Sequence, residues 1–312
     1  MSLVSRYLDP ALVERLNHLQ LSARSVVEGS TIGLHRSPVK GASIEFRQHR
    51  FYVPGDDPRR LDWRVLARTD RPYVREYDEE TNLRAAIVLD RSGSMGYGRK
   101  SGTKFDYAAR LAASLAYLML GQTEAVGLAM VGSRLESWLP PHAGTAQLSR
   151  VIEALERAAP AGESDLARSV QEVADRLERR SLLVLLSDFL NPIARIRPAL
   201  ARLQHDRHEV IVLRVLDVDE TTFPFRRWAR FRGLEGERSQ VCEPALVRRK
   251  YLDGFRSHAD QLAGACRALH CEMHTFLTDR PLDQTLTGFL QHRHGMQPAA
   301  ARVPSPGTPG EG

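Results

Sequence analysis

A carboxylate and two hydroxyls follow one short apolar run in the sequence. The run extends from Ala85 to Leu89, Asp90 ends it, and Ser92 and Ser94 follow at alternate positions. A short apolar run that stops at a carboxylate is typical of a buried parallel strand, and open α/β sheets place their sites at the carboxyl ends of such strands. Carboxylate and hydroxyl oxygens are hard ligands that suit Mg²⁺. A strand followed by an ordinary polar turn explains the same residues, because short motifs also occur by chance.

Two further polar loops fall at the same predicted edge of the sheet. Residues 162–165, Gly-Glu-Ser-Asp, precede a predicted helix, and Ser187-Asp188 ends the apolar strand 182–186. Taken alone, Ser164 is typical of a helix N-cap and Asp188 of a cap or turn. Together the three loops bring the carboxylates of Asp90 and Asp188 and the hydroxyls of Ser92, Ser94 and Ser164 to one edge. That set suits a six-coordinate Mg²⁺ whose shell is completed by water or by an external oxygen.

Alternating strand and helix patterns position these loops, and they predict a parallel sheet that helices cover on both faces. The predicted strands are 85–89, 125–131, 182–186, 210–215 and 272–277. The predicted helices are 103–120, 146–158, 166–177, 193–203, 244–269 and 282–291. The remaining predictions are an amphipathic helix over 9–27, a short helix over 61–67, a strand over 73–77, and an irregular or hairpin insertion over 223–243.

The composition is that of a globular protein that stays in the cytoplasm. Hydrophobic residues make up 42% and charged residues 26% of the 312 residues. The N-terminus has no signal-peptide pattern, and no apolar stretch is long enough to span a bilayer. Three cysteines without a CxxC pair argue against a disulfide framework or a zinc ribbon. The net charge is +6, but no basic block interleaved with aromatic residues occurs, which makes nucleic acid an unlikely partner.

The three loops, taken in chain order, resemble the metal-ion-dependent adhesion site (MIDAS) of von Willebrand factor A domains. This resemblance implies metal ligands at Asp90, Ser92, Ser94, Ser164 and Asp188. The ion would be Mg²⁺, or Mn²⁺ or Ca²⁺, and the two aspartates would hold it directly or through water. The family usually has threonine at the position of Ser164, where this chain keeps the hydroxyl but lacks the methyl group that restricts the rotamer.

The same resemblance implies the fold. A von Willebrand A (Rossmann-like) domain is an α/β fold with a doubly wound, mostly parallel sheet and helices on both faces. We expect it over residues 82–294, after a smaller N-terminal helix and strand segment over 1–81. Residues 295–312 are rich in Pro, Ala and Gly and are expected to form a disordered tail.

Residues 45–68 resemble the signature of the domain of unknown function 58 (DUF58) family. The matching positions are Glu45-Phe46, Arg50, Tyr52, Pro54-Gly55-Asp56-Asp57, Arg59, Leu61-Asp62-Trp63 and Ala67-Arg68. Members couple this signature to a von Willebrand A-like domain and are often found alongside MoxR-type AAA+ ATPases. Many carry N-terminal membrane helices; this sequence has none and resembles the short soluble branch.

The signature has two interpretations. Its charged residues could form a salt-bridged platform that pins Trp63 into the main domain, since charges near an anchoring aromatic are usually structural. They could also form a docking surface for a partner, and the two roles are compatible. The candidate partner-binding residues are Asp56, Asp57, Arg59, Asp62, Trp63 and Arg68.

These observations favour a non-enzymatic, metal-dependent protein-interaction module. A Mg²⁺ ion held mainly by hydroxyls stays electrophilic and can accept a carboxylate from another protein. The expected partners are a MoxR-type ATPase, for which the chain would be an adaptor or chaperone-like partner, and other von Willebrand A-containing proteins. A metal-assisted hydrolase is the alternative, but it needs a base or a second metal, and the three loops contain no histidine. A basic nucleic-acid-binding protein is a further alternative.

Overall fold

The computed structural model describes residues 7–16, 44–52, 61–69, 71–79, 84–99, 102–122, 124–178 and 180–295. Two compact units make up the chain. The larger unit comprises Met1–Arg24 and Leu83–Gly312, and the smaller comprises Ser25–Asn82. The chain is thus grouped differently from the expected segments 1–81 and 82–294, because an N-terminal helix packs into the larger unit. The described residues end at Gly295, so the rest of the expected tail lies outside them.

The described strands bear out the predicted apolar runs and add several short ones. They are β1 Ile44–Phe51, β2 Tyr73–Glu79, β3 Arg84–Asp90, β4 Gly98–Arg99, β5 Gly102–Thr103, β6 Ala125–Val131, β7 Leu135–His142, β8 Leu182–Ser187, β9 Glu209–Leu216, β10 Ala229–Phe231, β11 Gln240–Cys242 and β12 Glu272–Leu277. Strands β10 and β11 form an antiparallel hairpin within the predicted insertion 223–243.

The described helices are α1 Pro10–Leu16, α2 Trp63–Thr69, α3 Lys104–Gly121, α4 Thr145–Arg157, α5 Leu166–Ala174, α6 Ile193–His205, α7 Val218–Thr222, α8 Pro244–Ala268 and α9 Leu282–Gly295. A short 3₁₀ helix over Gly93–Gly96 follows β3. Of the predicted helix 9–27, residues 10–16 are helical, and residues 17–27 lie outside the described part of the chain.

The larger unit is built on a six-stranded sheet in the order β12-β9-β8-β3-β6-β7. Its paired strands are parallel except for β7, which runs antiparallel to β6 at the edge. The predicted doubly wound, mostly parallel α/β sheet is therefore confirmed. The chain leaves β3 on one side toward β6 and returns on the other side at β8. In sheets with such a reversal, ligands bind outside the carboxyl ends of the strands beside it, which here are β3 and β8.

Helices cover both faces of the sheet because its central strands are apolar on both sides. One core contains Ile87, Leu89 and Val184 from the sheet and the apolar sides of α1, α3, α4 and α9. The other contains Val88 and Leu185 and the apolar sides of α5, α6 and α8. Burial of these side chains contributes about 1.5–3 kcal/mol each for the larger ones. The sheet is thus a rigid base for the loops at its carboxyl edge.

Within its described residues, the smaller unit contains an antiparallel pair and one short helix. Strands β1 and β2 pair with a bulge between Phe46 and Gln48. The carboxylate of Asp62 accepts a hydrogen bond from the Val65 N–H at 3.2 Å, and Asp62 is buried. Asp62 therefore caps α2. Trp63 is 64% exposed, and Arg68 is exposed in the last turn of α2. Asp56, Asp57 and Arg59 lie outside the described residues.

Glu124, which precedes β6, makes the stability of the larger unit depend on pH. It is 9% exposed, and its Oε2 atom has no hydrogen-bond partner among the described residues. Burial raises the pKa of this carboxyl to about 8, although the Arg293 charge lowers it. A carboxyl whose pKa is higher in the folded than in the unfolded state costs stability as pH rises between the two values.

We expect Glu124→Gln to be more stable than the wild type at pH 9, by about 2–4 kcal/mol, and nearly equal to it at pH 5. Glutamine cannot ionise, so the variant avoids the cost of a buried charge. Urea unfolding at the two pH values measures the difference, and the exposed Glu153→Gln serves as control. A constant gap between wild type and Glu124→Gln at both pH values contradicts this assignment.

Candidate functional site

The first predicted loop leaves β3 in a tight turn that its own carboxylate organises. Asp90, the last residue of β3, is 1% exposed. Its Oδ1 atom accepts a hydrogen bond from the Ser92 N–H at 2.8 Å. The Ser92 and Ser94 hydroxyl oxygens lie 3.1 Å apart. The turn therefore places two hydroxyls side by side next to a buried carboxylate.

The end of β8 contributes the second carboxylate. The Ser187 hydroxyl donates to Asp90 Oδ2 at 2.6 Å and accepts from the Phe189 N–H at 3.0 Å. Asp188, also buried, accepts from the Leu190 N–H at 3.2 Å through Oδ1. The parallel pairing of Leu89 with Leu186 sets this arrangement, because it ends the two strands at the same level. The sheet thus holds both aspartates at one edge, as predicted.

The loop before α5 completes the group. The Gly93 N–H donates to the Gly162 carbonyl at 2.8 Å, which binds this loop to the turn after β3. The Ser164 hydroxyl donates to Asn191 Oδ1 at 3.3 Å. Ser164 does not cap α5; Asp165 occupies the N-cap position and accepts from the Arg168 N–H. The Ser164 hydroxyl is therefore available for a role other than capping.

Two buried carboxylates at one edge repel each other. Burial, and then the charge of Asp188, raise the pKa of Asp90 to about 7, against the hydrogen bonds from Ser187 and Ser92. A cation close to both carboxylates would remove that repulsion and favour the ionised form. The electrostatics of this edge therefore favour a bound cation.

Lys104 already supplies one positive charge on the side of Asp188. Its ammonium lies 2.7 Å from Asp188 Oδ2 and 2.6 Å from Glu220 Oε1, and its side chain is completely buried. Burial lowers the pKa of this ammonium, but the charges of Asp188 and Glu220 outweigh burial and raise the pKa above its ordinary value. The lysine fixes Asp188 in place, since a buried charge without its partner is very costly.

A third carboxylate reaches the site from the insertion between α7 and α8. Glu235 accepts a hydrogen bond from the Ser94 N–H at 3.3 Å through Oε1 and from the Ser164 N–H at 3.1 Å through Oε2. One carboxylate thus joins the turn after β3 to the loop before α5. The edge of the sheet therefore accommodates a carboxylate between two of its polar loops.

Comparison with known proteins gives the family of the chain. A family model described as a protein of unknown function, DUF58, matches residues 48–261. The chain belongs to the DUF58 family. Its DUF58 region spans most of the described part of the smaller unit and the sheet up to α8.

Relatives and solved structures resemble this DUF58 chain to different degrees. An uncharacterized protein of Mycobacterium tuberculosis is 29% identical over 290 residues, which cover 91% of this chain and 90% of the relative. The structure of an aerotolerance-related membrane protein from Bacteroides fragilis is 16% identical in sequence, with a TM-score of 0.47. The match covers 67% of this chain and 97% of that protein. The SpRpn10 VWA domain is 12% identical in sequence, with a TM-score of 0.41. The match covers 66% of this chain and 94% of that domain. In the described part of the DUF58 chain, no helix combines the length and apolar character needed to cross a bilayer.

The side chains that the sequence predicted for metal binding fit a hard cation. Two oxygens at about 2.1 Å from an octahedral ion lie about 3 Å apart, close to the separation of the Ser92 and Ser94 hydroxyls. The two aspartates supply negative charge that the described residues only partly compensate. Within the described ranges, no three His, Cys, Asp or Glu side chains form a metal-binding group. A cation at this edge would therefore be held by hydroxyls with two carboxylates.

Sequence reasoning missed Lys104 and Arg214, which hold Asp188 in place without belonging to the predicted ligand set. Lys104 is the first residue of a helix rich in alanine and leucine, and the pattern predicts that a lysine at a helix end is exposed to solvent. Arg214 lies within the apolar strand β9, and its Nε atom donates to the Asp188 carbonyl at 2.9 Å. A charged residue inside a fully buried strand is the one signal that could have found it, because such a residue is rarely buried without a partner.

Proposed function

We propose that this DUF58 protein is a non-enzymatic protein-interaction module that binds a partner carboxylate at a divalent cation, preferentially Mg²⁺. The ion would be held by Ser92, Ser94 and Ser164, with Asp90 and Asp188 as direct or water-mediated ligands. The observation that carries the proposal is the convergence of these five side chains at one edge, beside a place where a carboxylate already lies. The ion would supply a Lewis-acidic position for an oxygen of the partner.

Neighbouring groups of the protein would hold and orient the two aspartates that bind the ion. Ser187 and the Ser92 N–H fix the Asp90 carboxylate from two directions. Lys104 and Arg214 fix Asp188 through its side chain and its carbonyl oxygen. Held side chains lose little entropy when they bind a ligand, and a site built in this way binds more tightly than a mobile one.

We further propose that the partner is a MoxR-type AAA+ ATPase. The resemblance of the signature supports this choice, and so does the exposure of Trp63 and Arg68 on α2, since exposed aromatic and arginine side chains are common at the centres of protein interfaces. The smaller unit would then select the partner, while the edge of the sheet provides the cation-dependent contact. Other proteins with von Willebrand A domains are further candidate partners.

A capture experiment tests the proposal. The immobilised wild type should retain a purified MoxR-type ATPase in Mg²⁺ and lose it in EDTA. Asp90→Ala should fail to retain it in either buffer, and the exposed control Asp253→Ala should behave as wild type. Trp63→Ala tests the second contact and should weaken retention while leaving its EDTA sensitivity intact. Equal retention of the ATPase by wild type and Asp90→Ala would refute a role for the cation.

Ser164→Thr should bind Mg²⁺ as tightly as wild type or tighter, by up to about threefold. Threonine keeps the hydroxyl, and its methyl group restricts the rotamer that serine leaves free. Isothermal titration with Mg²⁺ measures the affinity, and Ser164→Ala, which lacks the hydroxyl, should bind more weakly than either. Clear weakening in Ser164→Thr would count against Ser164 as a ligand.

A further inference from the structure

The carboxylate of Glu235 sits on two backbone N–H groups from separate loops. Its two oxygens accept one hydrogen bond each, from Ser94 at 3.3 Å and from Ser164 at 3.1 Å. Two N–H groups that point at one carboxylate form an anion-binding concavity that needs no cationic side chain. Hydrogen bonds to an ionised acceptor are also stronger than those between neutral groups. This pair of N–H groups therefore forms a binding site for a carboxylate.

The loop that carries Glu235 fits closely against the turn after β3. A Cβ atom added at Gly93 would lie 2.0 Å from the Leu234 carbonyl oxygen, far inside contact distance. The φ angle of Gly93 is not in the left-handed region, so its absent side chain matters for space rather than for conformation. Gly93 thus admits the backbone of the loop to the place from which Glu235 reaches the two N–H groups.

The same loop has few other attachments. Leu234 is exposed, and so are the residues 236–240 that follow Glu235. The flanking strands β10 and β11 have three residues each, and Phe231 of β10 packs on Phe223 and Phe225. The exposed residues between the two strands are therefore the ones with little buried surface. Segments with little buried surface open at low cost. The Glu235 carboxylate can therefore leave the site without disturbing the sheet.

We propose that the Ser94 and Ser164 N–H groups form a binding site for one carboxylate, that Glu235 fills it in the free protein, and that an acidic side chain of a protein partner displaces Glu235. The proposal deepens the function proposed above and rests on it for the identity of the partner as a protein. The site itself is made of backbone N–H groups and needs no cation. It is thus testable in the presence of EDTA, separately from metal-dependent binding.

Amide exchange tests the site. In Glu235→Ala, the Ser94 and Ser164 amide hydrogens should exchange with solvent about tenfold faster than in wild type, as measured by NMR in EDTA. The amides of β3 should exchange at unchanged rates. Glu243→Ala removes a carboxylate from the same insertion and should leave both amides as in wild type. Unchanged exchange at Ser94 and Ser164 in Glu235→Ala would overturn the proposal.

Gly93→Ala offers a second variant that keeps Glu235. Its methyl group would exclude the Leu234 carbonyl oxygen, so the loop should leave and the Ser164 amide should again exchange about tenfold faster. A Gly93→Ala protein with a protected Ser164 amide would show that the loop does not depend on this contact and would overturn the proposed displacement.

A peptide tests the class of ligand. A labelled synthetic peptide of residues 230–240 should bind Glu235→Ala about tenfold or more tightly than wild type, in EDTA, because the N–H groups are free. The same peptide with glutamine at position 235 should lose this advantage. Equal binding of both peptides would overturn the assignment of a carboxylate ligand. Failure of ATPase capture with these results intact would instead refute the proposed function and leave the carboxylate site standing.

Discussion

Replacement of Lys104 by methionine is expected to lower the free energy of unfolding by about 3–5 kcal/mol. The Lys104 ammonium is completely buried between the carboxylates of Asp188 and Glu220, at 2.7 and 2.6 Å. Methionine has a similar volume, so the loss comes from charge rather than from packing. Removal of the lysine takes away the ammonium that both buried carboxylates contact, and the cost of burying an unpaired charge is several kcal/mol.

Urea unfolding at neutral pH measures the loss, and two variants separate its causes. Lys250→Met removes an exposed lysine and should change the free energy of unfolding by less than about 0.5 kcal/mol. The double variant Lys104→Met/Glu220→Gln removes one of the two stranded charges and should recover part of the stability. If Lys104→Met were as stable as Lys250→Met, the buried ion pairs described here would be wrong.

Asp90→Ala is expected to abolish the stabilisation of the protein by Mg²⁺. A ligand that binds only the folded protein stabilises it by about 2.7 kcal/mol at a hundredfold excess over Kd, and the wild type should show a rise in Tm of this origin. The Asp90 carboxylate is buried at the end of β3, beside the Ser92 and Ser94 hydroxyls, so its removal takes away one of the two aspartates proposed to hold the ion.

A melting series at increasing Mg²⁺ concentration checks this result. Asp253→Ala, an exposed aspartate on α8, should keep the full rise in Tm. Circular dichroism without metal shows whether Asp90→Ala is folded, so a loss of the Mg²⁺ response is not confused with unfolding. An equal Mg²⁺ response in wild type and Asp90→Ala would exclude Asp90 as a ligand.

Five strands of the sheet could be predicted because each is a short run with several apolar or β-branched residues. The bounds predicted for β6 and β12 agree with the structure, and those of β3, β8 and β9 differ by one residue at one or both ends. The edge strand β7 was missed because it contains Pro140 and Pro141 and is half exposed, and proline is tolerated at an edge but does not indicate a strand. A short run with several apolar residues can therefore be predicted as a strand, whereas a half-exposed strand with two prolines cannot.

The candidate site was predictable where topology alone brings residues together. Asp90 ends β3 and Asp188 follows β8, and the alternating pattern predicts that both lie at the carboxyl edge of the sheet. The structure adds that the two strands are neighbours. Glu235 was not predictable, because it lies in an insertion without periodicity, far from Ser94 in sequence. Lys104 was missed for a different reason: its partner Glu220 begins no recognisable motif. Contacts made by loops and by isolated buried charges depend on packing that a periodic pattern does not encode.

The network around Lys104 has a consequence for how two ligands would bind. Once Glu235 has left the site, Asp90, Asp188 and Glu220 oppose Lys104 and Arg214, so the remaining cluster carries one net negative charge when every group is ionised. A divalent cation would reverse the sign to one net positive charge, and a single carboxylate would then restore electroneutrality. In a poorly solvated site this balance couples the two binding events. Cation and carboxylate should therefore each raise the affinity of the protein for the other, by the same factor in both directions.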